Sequence, residues 1–215
     1  MCMAVVTTLY AQVTWMPKAG ASFANVAFSD DIKDGWGGSN SDFGSKLGLV
    51  LGVAAEIPLG GEMFALQPEL LFHQKGYHFE YNDATSGEEY SEDYNYSLFY
   101  LELPVLAKVK FGNFYVAAGP SIGYGLFGMY KGSYTWLGET TDDDGKVKFG
   151  NEPDNYEGDD EYVDNALDFG VQLGVGYKVS VIVIDLRYGI GLTNLYDQPA
   201  GSDVDVKSQN RSIQL

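Results

Sequence analysis

Seven charged residues in this chain sit where apolar residues would be expected to alternate with something small: Glu69, Lys75, Glu102, Lys108, Asp168, Asp185 and Arg187. Each lies in an extended, period-two stretch, on the face opposite its Leu, Ile, Phe and Val neighbours. Successive side chains of a strand point to opposite sides, so these charges share one interior while the apolar residues face outward. Interior charges must pair, because an unpaired one costs several kcal/mol. Ion pairing is therefore the expected chemistry. If residues 63–81 and 96–111 pair across 82–95 with partner numbers summing to about 177, Glu69 faces Lys108 and Lys75 faces Glu102. Asp168, Asp185 and Arg187 then join from the far side.

Other chemistries fare worse. His73 and His78 are the two histidines, and an inward His73 near Glu69 suggests acid–base work. No Gly-x-Ser-x-Gly elbow is present, and parity puts no serine on the matching face, so a satisfied interior histidine and no enzyme is the expectation. Acidic runs at Asp142-Asp143-Asp144-Gly145 and Asp159-Asp160-Glu161 offer oxygen ligands to a hard cation. Their spacing lacks the alternating ligands and distal Glu of an EF-hand. Asp144-Gly145 reads instead as a hairpin turn. No metal, cofactor or catalytic set is expected.

The elements that must position the charges are clearest from Asn165 to Leu195. Leu167, Phe169, Val171, Leu173, Val175, Tyr177 and Val179 fall on one face, opposite Asp168, Gly170, Gln172, Gly174, Gly176 and Lys178. After a reversal near Ser180 the alternation resumes through Ile182, Ile184, Leu186, Tyr188, Ile190 and Leu192. The second face is too small to fill a sandwich core. It suits a polar lumen with lipid on the other side, the dyad pattern of a membrane barrel. The same test finds strands over 13–24, 45–57, 63–81, 96–111 and 114–131, with another beginning at Asn210. The expected fold is an all-β, eight-stranded, antiparallel, up-and-down transmembrane barrel.

Connections alternate in length. Pro58–Glu62, Gly112-Asn113 and the turn near Ser180 are short, whereas 25–44, 82–95, 132–164 and 195–209 are long. Those four loops hold 23 of the 30 acids and 4 of the 13 bases, in a chain of formal net charge −17. The acidity thus belongs to one rim, the outer one in barrels of this kind. Such a surface argues against nucleic acid as a partner. Trp15, Phe64, Phe111 and Phe114 by the short turns, and Tyr81, Tyr96, Tyr130 and Tyr196 toward the loops, suggest belts at the two membrane interfaces.

Residues 1–11, MCMAVVTTLYA, have the apolar run and cleavage end of a secretory signal, leaving 12–215 as the barrel domain. Within it, PKAGASFANV (17–26), LQPELLFHQKG (66–76), YLELPVLAKVKFG (100–112), YVAAGPSIGYGL (115–126), LDFGVQLGVGYKV (167–179) and RYGIGLTNL (187–195) resemble the Bacteroidetes outer-membrane β-barrels known as porin-family or PorT-like proteins. NRSIQL (210–215) resembles the opening of that family's last strand. The resemblance implies an outer-membrane location, and for some members links to gliding and protein secretion. Six residues fall short of the ~9–11 a spanning strand needs, so the last strand is expected to be truncated and ring closure incomplete.

The expected function is non-enzymatic: a barrel with a salt-bridged lumen, outer-membrane lipid around it, and acidic loops available to envelope or surface proteins. The alternatives are a narrow porin-like channel or secretion accessory, and a soluble lipocalin-like carrier with its large apolar residues inside.

Overall fold

A computed structural model describes residues 13–35, 40–83, 90–150, 160–197 and 207–215. The strands are β1 (Thr14–Phe28), β2 (Ser41–Pro58), β3 (Phe64–Asp83), β4 (Tyr90–Phe111), β5 (Phe114–Trp136), β6 (Glu139–Phe149), β7 (Glu161–Val163), β8 (Leu167–Val179), β9 (Ile182–Asn194) and β10 (Ser208–Gln214). A six-residue helix, α1 (Asp30–Gly35), stands between β1 and β2. The signal reading at 1–11 lies outside the described residues.

Eight strands form a closed antiparallel ring, in the order β1, β2, β3, β4, β5, β8, β9, β10 and back to β1. The short last strand predicts incomplete closure. β10 nevertheless pairs with both neighbours, facing β1 from Ser22↔Gln214 to Phe28↔Ser208 and β9 from Gln209↔Asn194 to Gln214↔Arg187. Two-residue turns at Gly112-Asn113 and Ser180-Val181 join β4 to β5 and β8 to β9. Ser180 and Gly112 take the positive φ such tight reversals require.

The polarity of the wall is decided by exposure. Leu49, Leu103 and Phe169 are 58, 48 and 50% exposed, whereas Glu69, Glu102 and Arg187 are 3, 3 and 2% exposed. A lipocalin-like carrier would show the reverse. A continuous apolar band of this extent is not tolerated in water, and on a barrel it is the lipid-facing surface. Its upper edge carries a row of rings across three strands, with Phe72 5.7 Å from Phe99 and Phe99 4.6 Å from Phe127.

β3, β4 and β5 run 20, 22 and 23 residues, about twice what a bilayer demands. Their upper halves continue the wall beyond the lipid through stretches expected to be loops. There β6 takes the place beside β5 that β8 holds below, pairing from Gly128↔Val147 to Trp136↔Glu139, and β7 adds in parallel. The β5–β6 hairpin turns at Leu137-Gly138, both at positive φ, a two-residue geometry that matches strand twist. Asp144-Gly145, expected to be a hairpin turn between Thr140-Thr141 and Val147-Phe149, instead lies inside β6. Its glycine is required because the Tyr130 ring rests on it, 2.6 Å from where a Cβ would stand.

Candidate functional site

The lumen holds two clusters of charge joined by one glutamine. In the lower cluster Arg187 donates to Glu69 through Nη1 (2.7 Å to Oε2) and Nη2 (2.8 Å to Oε1), a bidentate grip. The same guanidinium donates to Asp185 through Nε at 2.5 Å and Nη2 at 2.9 Å. Lys18 completes the group, 3.3 Å from Glu69 and 3.9 Å from Asp185. Tyr115 donates its hydroxyl to Asp185. Its ring lies over Gly176, where an added Cβ would stand 2.2 Å from it. Toward the short-turn end, Lys108 donates to Glu56 at 2.7 Å and to Gln67 at 2.9 Å, and sits 3.8 Å from the Tyr115 ring centre. Lys110 takes the other oxygen of Glu56 at 2.7 Å.

In the upper cluster Lys75 bridges two carboxylates, Asp168 at 3.0 Å and Glu102 at 3.4 Å. Glu102 also binds Nδ1 of His73 at 2.7 Å and accepts from Gln172 at 3.1 Å. Asn210 donates to Asp168 at 2.9 Å. Gln172 accepts from Arg187 at 3.4 Å and so links the clusters. Most polar atoms here have protein partners, as buried charges require. His73 Nε2 and the Tyr100 hydroxyl have none, and neither do Asp168 Oδ1 and Asn210 Oδ1. Asp168 and Asn210 border a cavity about the size of one water, lined also by Ser121 and Ser212.

Above the charges, aromatic rings pack together inside the lumen. Tyr77 stacks on Tyr96 at 4.7 Å, and Phe28 packs edge-on to Tyr77 at 5.4 Å. Buried Val147 of β6 and Val163 of β7 join this core. Phe149 lies 5.4 Å from Tyr100 and directly over Gly125, whose Cβ would meet the ring at 2.5 Å. Tyr94 donates to Asp143 at 3.1 Å and Tyr96 to Glu161 at 2.9 Å, fastening β4 to β6 and β7. Burial raises the pKa of Glu161, as does the nearby Asp143 charge, while the Tyr96 hydroxyl opposes them.

Residues 10–197 match the family described as outer membrane protein beta-barrel domain. The chain belongs to that family. Its location is the outer membrane. Among solved structures, the crystal structure of Neisserial surface protein A (NspA) is similar over 94% of each chain, with 13% identity and a TM-score of 0.43. No curated protein matches the chain.

In this outer-membrane barrel all seven charges named from the sequence face the lumen, but their pairing differs from the hairpin expectation. β3 and β4 pair four residues away from the expected register, so Ala65 faces Lys108 and Leu71 faces Glu102. Lys75 still reaches Glu102, because its side chain is long and the lumen narrow. Glu69 and Lys108 do not pair directly; Gln67 stands between them, donating to Glu69 at 2.5 Å. Lys18, Glu56, Lys110, Gln67, Gln172 and Asn210 were missed as members. All but Asn210 lie on strands whose inward parity was readable. Tyr96, Tyr130 and Tyr196, expected in an interfacial belt, instead join the lumen core. Tyr96 has the inward parity of Tyr100, whereas Tyr130 turns inward because the β4–β5 pairing slips between Phe99↔Phe127 and Tyr100↔Gly125, which reverses the alternation of β5 above Leu126.

Proposed function

We propose that this protein is a non-enzymatic outer-membrane barrel with a sealed lumen, acting as an envelope scaffold and contact surface through its acidic outer rim. The observation that carries the reading is the Arg187–Glu69 grip beneath the Tyr77–Tyr96 stack. Ions and rings together fill a barrel of the smallest common size, whose interior side chains are able to fill it. A porin-like channel needs a water-filled path at those levels. The motifs at 17–26, 66–76, 100–112, 115–126 and 167–195 support a place among porin-family, PorT-like barrels of the Bacteroidetes, with residues 1–11 as the export signal. The partners this reading implies are outer-membrane lipid and other envelope or surface proteins.

The test is planar-bilayer recording on detergent-refolded protein whose folding is established by heat-shifted gel mobility. The sealed reading expects a mobility shift on boiling and no steady conductance. Discrete, voltage-stable conductance from the unaltered chain would replace it with the channel reading.

A further inference from the structure

His78, Glu80 and Asp93 lie on the outward face of β3 and β4, six residues or more past the Phe72–Phe99 row, so roughly 20 Å along the strand beyond the lipid band. One ligand atom from each falls within 4.8 Å of the others, the only group of this kind among the described residues. His78 Nε2 is 3.0 Å from Glu80, and Nδ1 is 3.8 Å from Asp93. The two carboxylates are about half exposed and free to turn, while the imidazole is three-quarters covered and held between them.

A second observation concerns charge. Cross-strand pairing places Asp42 opposite Glu80 and Glu80 opposite Asp93, so three carboxylates stand in a row on one face. Like charges directly opposite destabilise a sheet. Ser133, on the far side of Asp93, brings no charge, and Lys131 is directly opposite Asp144. A neutral imidazole does not offset the row; a divalent cation does. Calcium takes oxygen ligands alone, whereas an imidazole beside carboxylates selects a borderline transition metal such as zinc.

We propose that His78, Glu80 and Asp93 form an extracellular binding site for one Zn²⁺-like ion, with solvent in the open position. Ligand bonds of about 2.0–2.2 Å require the two carboxylates, which stand beside opposite ring nitrogens, to turn toward the one that holds the ion. The ion ties β3 to β4 above the membrane and neutralises the middle of the acidic row. The site rests on the barrel wall and is independent of whether the lumen is sealed.

The test is calorimetric titration of Zn²⁺ into untagged, refolded full-length protein, with melting followed in parallel. The expected result is one saturable site, a higher melting midpoint with zinc, and affinity lowered at least about tenfold by His78→Ala and by Asp93→Asn. Glu92→Gln, on the inward face of β4, should leave binding unchanged. Both ligand variants face outward and should keep their heat-shifted mobility, so loss of binding is separable from loss of fold. Equal binding by His78→Ala, equal competition by Ca²⁺, or no saturable binding would each overturn the site.

Discussion

Arg187 and Glu69, 118 positions apart, meet across the lumen through two parallel hydrogen bonds of 2.7 and 2.8 Å. The pair is fully desolvated, so its worth lies less in net attraction than in what is left when one partner is removed.

Glu69→Ala leaves Arg187 and Lys18 sharing Asp185, two cations on one carboxylate in a buried cluster. The expected loss is about 3 kcal/mol, the low end for a broken buried pair because Asp185 remains. Urea unfolding in detergent, followed by gel mobility, measures it. A loss within experimental scatter would mean that water already reaches the lower cluster.

Glu102→Ala acts on the upper cluster differently. Lys75 keeps Asp168, but His73 Nδ1 and Gln172 Nε2 lose their acceptor. Unsatisfied buried groups cost about 1–3 kcal/mol each. Glu102→Gln retains an acceptor and should lose less. If both variants melt together with the parent, the charges are not sealing the barrel.

These two clusters show where sequence is informative. The alternation along Leu167–Val179, repeated in the other long strands, shows which side chains face lipid and so places all seven charges on the inner face. Pairing is another matter. Arg187 and Glu69 sit on strands from opposite sides of the ring, so no single hairpin register could have joined them. The β3–β4 register differs by four residues because a sum of 177 sets the reversal two residues late; the sequence carries a turn dipeptide, Ser86-Gly87, at the midpoint of the observed sum of 173. The Asp144-Gly145 dipeptide carries a strong turn signal, yet that glycine answers to the Tyr130 ring rather than to a turn. A small residue demanded by packing looks the same in sequence as one demanded by φ.

Gly125→Ala tests the ring closure without touching a charge. The added methyl would stand 2.5 Å from Phe149, which must swing off Tyr100 and take β6 with it. Faster amide exchange is expected in β6 and β7, with the lipid-embedded strands unchanged, since local opening follows local packing. Uniform protection across both regions would show that Phe149 is not what holds the cap.

Glu161 should make the cap firmer in acid. Burial and the nearby Asp143 raise its folded pKa above the ordinary 4.5, against the Tyr96 hydrogen bond. For a raised pKa the stabilisation is complete below the unfolded value and fades as pH rises through the folded one. At neutral pH the ionised carboxylate therefore strains the contact between β7 and β4. Glu161→Gln keeps an oxygen for the Tyr96 hydroxyl and removes the charge. It should tighten β6 and β7 at pH 7 by less than about 1 kcal/mol, because the group is partly solvated. Below pH 4.5 parent and variant should exchange alike. Weaker protection in the variant at pH 7 would instead make the charged Tyr96–Glu161 bond the stabilising form, reversing the sign of the pH dependence.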